Sequence, residues 1–127
     1  MNKVEILEEI KQVLGIVPGF FEMMPEDSLE MEWGLFKRYA LQEKGEIPPK
    51  YRELIGLGAA AARQCWYCAN FHTGVAKHIH GATDAEIEEA VHIARFGASW
   101  SAYLNGALYD KDKFMQELHA VAAHLTK

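Results

Sequence analysis

Cys65 and Cys68 form a single Cys-x-x-Cys, and His72 follows the second cysteine by four residues. No other cysteine occurs in the 127-residue sequence. Residues three and four apart share a helix face, so a helical segment here puts both sulfurs and the imidazole on one stripe. Thiols at that spacing reach disulfide distance with little backbone movement. Closing so small a loop adds little stability, so a bond between them serves chemistry better than bracing. A free thiol ionises near pH ~8.5, and the thiolate is the nucleophile. The motif opens a helix, whose unpaired N–H groups favour negative charge on Cys65. His72, one turn after Cys68, exchanges a proton with that thiol or stabilises its thiolate, which favours Cys68 instead. Spacing alone does not choose between them.

Other uses of a cysteine pair fit less well. Cys-x-x-Cys is half of a common zinc ligand set, but His72 follows Cys68 too closely for a knuckle-plus-helix site, and a helical pair aims its thiols poorly for chelation. Covalent haem attachment needs His directly after the second cysteine, where Ala69 stands. A thioredoxin fold needs strands around the motif, and none are expected. Two inert thiols in a helical core remain an alternative, since cysteine is often buried. Glu53 shifts the balance towards chemistry. It lies on the preceding helical segment, from which a carboxylate can fold back beside the thiols and pass protons through a bound water; its plain alternative is a solvated acid on a helix face.

The elements that must position these groups are helical almost throughout. Ile6, Ile10 and Val13 recur at helical spacing, widened by Leu7 and Leu14, until Gly15 and Pro18. A short segment over about 19–24 carries Phe20, Phe21 and Met24 and ends at Pro25. Asp27 or Ser28 is expected to cap a helix striped by Leu29, Trp33, Phe36 and Ala40, running to Gly45. Pro48 and Pro49 lead into a helix over about 50–63, whose later part is nearly all Gly and Ala and so allows close approach of another helix. The next helix starts near Cys65 and stops before Gly81. Thr83 and Glu86 have capping-box spacing for a long helix carrying Ile87, Ala90, Val91, Ala94 and Ala98; Phe114, Leu118, Val121 and Leu125 stripe a last one. The expectation is an all-α single domain spanning 1–127, with short connections favouring antiparallel neighbours.

Composition agrees and excludes several functions. Half the residues are hydrophobic and 24% are charged, as in globular chains. Thirteen Lys and Arg against 18 Asp and Glu give a net charge of −5, a poor match to nucleic acid or anionic membrane. The apolar run Leu54 to Ala62 is far short of the ~20 residues that cross a bilayer. The opening MNKVEILEEI places acids where a signal peptide has its apolar stretch, so a cytoplasmic, reducing location is expected.

Glu53, then Cys65-x-Tyr67-Cys68 and His72, with Gly81-Ala82-Thr83 and an acidic helix start downstream, resembles the core motif of alkylhydroperoxidase D (AhpD)-like proteins of the carboxymuconolactone decarboxylase superfamily. The resemblance is strongest over about 49–94. It implies a helical fold associating as trimers or hexamers, and peroxide or disulfide reduction without haem, flavin, metal or other cofactor. It further implies that Cys68 forms the sulfenic acid and Cys65 resolves it, with Glu53, Tyr67 and His72 as the proton relay. Substrates would be hydroperoxides or disulfides. The reductant would be an external lipoyl- or thioredoxin-type dithiol, with a peroxiredoxin as a further partner. True carboxymuconolactone decarboxylases lack the cysteine pair, which argues against lactone decarboxylation. A disulfide reductase, a lactone enzyme and a non-catalytic oligomeric partner stand as alternatives.

The remaining histidines carry no such pattern. His78 and His80 do not share a helix face, and His92, His119 and His124 have no telling partner spacing. Trp66 is expected to wall off the thiols. Gly97-Ala98-Ser99, before Trp100 and Tyr103, reads as tight packing, within the chain or between subunits.

Overall fold

The computed structural model describes residues 1–41 and 44–127. Among these residues there is no strand, and about 78% of the structure is helical. The elements are α1 (Lys3–Leu14), α2 (Gly19–Glu22), α3 (Glu26–Phe36) with a π-helical turn at Lys37–Leu41, α4 (Pro49–Arg63), α5 (Trp66–His78), α6 (Asp84–Gly106) and α7 (Lys111–Leu125).

Local chemistry sets most of the helix ends. Asn2 and Glu5 form a reciprocal capping box at the start of α1, and Gly15 closes it in the left-handed region at φ 82°. Thr83 and Glu86 form the expected box on α6. Pro48 is the N-cap of α4 and Pro49 its first residue. Gly81, at φ 70°, ends the turn after α5, where the Ala82 N–H reaches back to the Ala76 carbonyl at 2.8 Å.

The start of α3 differs from expectation. Neither Asp27 nor Ser28 caps it; the helix begins at Glu26 behind Pro25, with no side-chain cap. Proline fixes an extended approach that leads directly into the first turn, and Glu26 and Asp27 then lie in that turn, where the helix dipole favours acids. The stripe continues past Phe36 only as the π turn, and the expected end near Gly45 runs through positions 42 and 43, outside the described residues.

Two packed groups result. Ile6, Ile10, Phe21, Leu29 and Trp33 form the apolar core of α1–α3, with Phe21 edge-on to both Trp33 and Phe36. Val13, expected on this stripe, is half exposed instead. In the second group α4 packs against both α5 and α6, burying Leu57, Ala60, Ala76 and Ala82. The Gly/Ala stretch permits this approach: a methyl built on Gly58 would touch the Ala94 methyl at 4.0 Å. Phe36 against Phe71, at 5.6 Å between ring centres, joins the groups, as does Arg52 donating to the Arg38 carbonyl at 3.3 Å.

The expected burial of the last two helices is not found. From Arg95 to Lys127 no residue is buried, and Phe96, Tyr103 and Leu125 are among the exposed apolar side chains. Val91 and Ala98, expected on the core stripe of α6, are exposed as well. Periodicity on α6 and α7 marks an apolar face, but among the described residues no other element is laid against it. Gly97, Ala98 and Ser99 lie on this uncovered part, all exposed, and among the described residues a Cβ built on Gly97 would meet nothing within 4 Å.

Candidate active site

The end of α4 and the start of α5 make the thiol site. α4 stops at Arg63 because Gln64 turns into the left-handed region, φ 57° and ψ 41°. The Cys65 N–H bonds the Ala60 carbonyl at 2.9 Å, and Cys65 becomes the N-cap of α5. Its sulfur takes the place of the usual capping oxygen, accepting the Cys68 backbone N–H at 3.3 Å. Both cysteines are reduced and half-buried.

That geometry makes the thiols unequal. The Cys65 sulfur accepts from the Cys68 thiol and from the Cys68 backbone, which holds Cys65 below the ordinary thiol range. Cys68, as donor to Cys65 and partly shielded from water, is pushed up. The first negative charge of the pair therefore resides on Cys65, in line with the helix-start argument.

Glu53 is the one buried charged residue among those described, at 2% exposure. Its carboxylate accepts a 2.7 Å hydrogen bond from Nδ1 of His72 on the facing helix α5. A buried carboxylate needs such a partner, and the bond assigns the His72 tautomer, leaving Nε2 to exchange a proton. Gly56 is what lets the ring lie there: a Cβ at that position would fall 2.5–2.7 Å from three His72 ring atoms. In the sequence Gly56 is visible only as one member of a small-residue stretch.

Cys68, His72, Glu53 and Tyr67 open on one pocket of about 640 Å³, whose wall comes from α2, α3 and α5 through Phe20, Phe21, Leu35, Phe36 and Phe71, and from Met24 in the turn between α2 and α3. The spacing of the aromatic residues in α2 and α3 marks core stripes and carries no signal that one side faces the thiols. Cys65 is not part of this lining. Tyr67 is 78% exposed, and among the described residues no hydrogen bond joins its hydroxyl to Glu53, His72 or either sulfur. Trp66 is 70% exposed and packs edge-on against Tyr67, so in this chain it does not cover the thiols. Arg63, which no motif singles out, places Nη2 3.8 Å from the Cys68 sulfur. No group of three or more His, Cys, Asp or Glu suited to a metal occurs among the described residues, and no helix is long and apolar enough to cross a membrane.

This arrangement is similar to known proteins at three levels. Sestrin-1 from Mus musculus and from Macaca fascicularis are each 42% identical over 45 residues, 35% of this chain and 9% of theirs. The matched segment thus covers about a tenth of the length of those relatives. The crystal structure of the alkylhydroperoxidase AhpD core from Rhodospirillum rubrum superposes with a TM-score of 0.74 at 24% identity, over 90% of this chain and 85% of that one, and shows the same fold. The family model for carboxymuconolactone decarboxylases matches residues 29–112, a span that takes in Glu53, the cysteine pair and His72. That match covers well over half of the sequence, and the chain belongs to the carboxymuconolactone decarboxylase family, on an AhpD-like fold.

Proposed function

We propose that the chain is a thiol-dependent peroxidase acting on organic hydroperoxides. The observation that carries this reading is that Cys68, alone of the two sulfurs, lines an apolar pocket together with the Glu53–His72 pair. The lining suits the organic part of a hydroperoxide, whereas the thiols and imidazole suit its O–O bond.

In the resting pair the Cys68 proton passes along the S–H···S bond to Cys65. The Cys68 thiolate attacks the distal peroxide oxygen; the S–O bond forms, the O–O bond breaks, and alkoxide leaves. His72, held by Glu53, hands that alkoxide a proton taken from solvent. Cys65 then displaces hydroxide from the Cys68 sulfenic acid, the S–S bond forms, and the Cys65 proton leaves with the hydroxide as water. With no third thiol in the sequence, an external dithiol reduces the disulfide by exchange. Tyr67, at the pocket wall, orients the substrate or gives the alkoxide its proton in place of His72. The exposed apolar face of α6 and α7 supports a homo-oligomer, and a chain whose two cysteines are kept together as one Cys-x-x-Cys suits a reducing, cytoplasmic setting.

The test treats wild type, Cys65→Ser and Cys68→Ser with one equivalent of cumene hydroperoxide and weighs the products. The expected result is a disulfide in wild type, a trapped sulfenic acid in Cys65→Ser and no reaction in Cys68→Ser. Thiols that stay reduced with peroxide but oxidise with a small disulfide would replace the reading with a disulfide reductase. Thiols inert to both would return the chain to a lactone enzyme or a non-catalytic role.

A further inference from the structure

The mechanism requires negative charge on Cys68, yet the hydrogen bonds of the resting pair put it on Cys65. Some group must lower the cost of moving it. Arg63 is the last residue of α4, and the left-handed Gln64 reverses the chain immediately after it. The reversal brings a side chain five residues before Cys68, on a different helix, to 3.8 Å from the Cys68 sulfur. No helix periodicity would produce that contact. Among the described residues no carboxylate forms a salt bridge with Arg63.

We propose that Arg63 is a third participant in the thiol chemistry, its guanidinium holding the Cys68 sulfur as thiolate at the wall of the pocket. This deepens the peroxidase reading and rests on it. A guanidinium suits the role because it stays protonated at any working pH. It is also more weakly hydrated than an ammonium, so it approaches a polarisable sulfur readily. In the disulfide the sulfur is neutral and the attraction ends, so the residue acts only on the reduced enzyme.

The experiment reads the thiolate without any peroxide. In a Cys65→Ser background the introduced hydroxyl keeps the cap of α5, and Cys68 is the sole thiol. Iodoacetamide alkylation is followed by mass spectrometry across pH at low ionic strength, with and without Arg63→Gln. One unit charge at 3.8 Å in water-like surroundings changes the thiolate population about sixfold. Arg63→Gln should therefore slow Cys68 alkylation at neutral pH about sixfold and move its pH profile upward. Arg63→Lys should restore most of the rate, and high salt should shrink the difference. Arg63 also lowers Cys65, but as a lesser cause than the hydrogen bonds of the cap, and its guanidinium contact is to the Cys68 sulfur. In a Cys68→Ser background, which keeps the backbone donor to Cys65, the same change should therefore alter Cys65 by clearly less than it alters Cys68.

A Cys68 rate within twofold of its parent, or equal effects on both cysteines, overturns the proposal. Circular dichroism of each variant confirms that α4 and α5 persist. The two readings fail separately: peroxide-inert thiols with an intact alkylation shift would sink the peroxidase reading and leave Arg63 in place, while peroxide oxidation without the shift would sink Arg63 alone.

Discussion

The seat of His72 on Gly56 gives a prediction that two alanines on one helix settle. Gly56 and Gly58 both lie inside α4, where replacing glycine by alanine ordinarily stabilises by about 1 kcal/mol. At Gly58 the new methyl would meet Ala94 at 4.0 Å, an ordinary contact, so Gly58→Ala should gain roughly that amount. At Gly56 the methyl would sit 2.5 Å from the His72 ring, where about 3.5 Å or more is needed. The ring must then retreat by about 1 Å, which takes the 2.7 Å bond to Glu53 beyond hydrogen-bonding range. A carboxylate only 2% exposed is left without its donor, a loss of about 2–4 kcal/mol. Net, Gly56→Ala should destabilise by about 1–3 kcal/mol although it improves the helix. Urea midpoints measured at one fixed protein concentration compare the variants, because association would otherwise shift them. The rate of thiol oxidation by cumene hydroperoxide gives the second readout, and it should fall for Gly56→Ala but hold for Gly58→Ala. Equal stabilisation of both variants, with unchanged oxidation, would refute the seat and the dependence of the site on the Glu53–His72 bond.

Two further outcomes follow from the same structure. Cys65 is held low by its hydrogen bonds from Cys68, and Cys68 is pushed up as their donor, so lowering pH from alkaline to neutral should protonate Cys68 first and leave Cys65 the more thiolate-rich. Iodoacetamide at neutral pH should then label wild type at Cys65 ahead of Cys68, with the preference narrowing as pH rises; labelling of Cys68 first would contradict the cap geometry. Leu118→Glu with Val121→Glu, on the exposed face of α7, should lower the mass measured by light scattering while leaving the helical signal intact, and a wild type that is itself monomeric would dispose of the homo-oligomer.

Much of the site was legible because helix geometry is local. Cys65, Cys68 and His72 belong to one short segment, and three- and four-residue spacing places them together whatever surrounds the helix. The capping box at Thr83, the proline start of α4 and the Gly81 turn were equally local, each decided by one or two side chains acting on neighbouring backbone. Local pattern misled at Asp27 and Ser28, where Pro25 set the cap of α3 two or three residues earlier, and on α6 and α7, where an apolar stripe says which face is sticky but not what covers it.

What only the tertiary structure decided are contacts between helices. Glu53 and His72, 19 residues apart, meet because α4 and α5 pack closely at Gly56, a matter of interhelical distance that no periodicity encodes. Arg63 reaches Cys68 because one left-handed residue reverses the chain. The aromatics of α2 and α3 line the pocket as well as the core because α5 meets them at its edge, Phe71 against Phe36. Residue types and spacing were enough to single out the groups capable of thiol chemistry and to show that helices would hold them. Packing decided which sulfur faces the apolar pocket and which charge stands beside it, because burial, the seat of a ring and the reach of a guanidinium depend on distances that exist only once the helices have closed on one another.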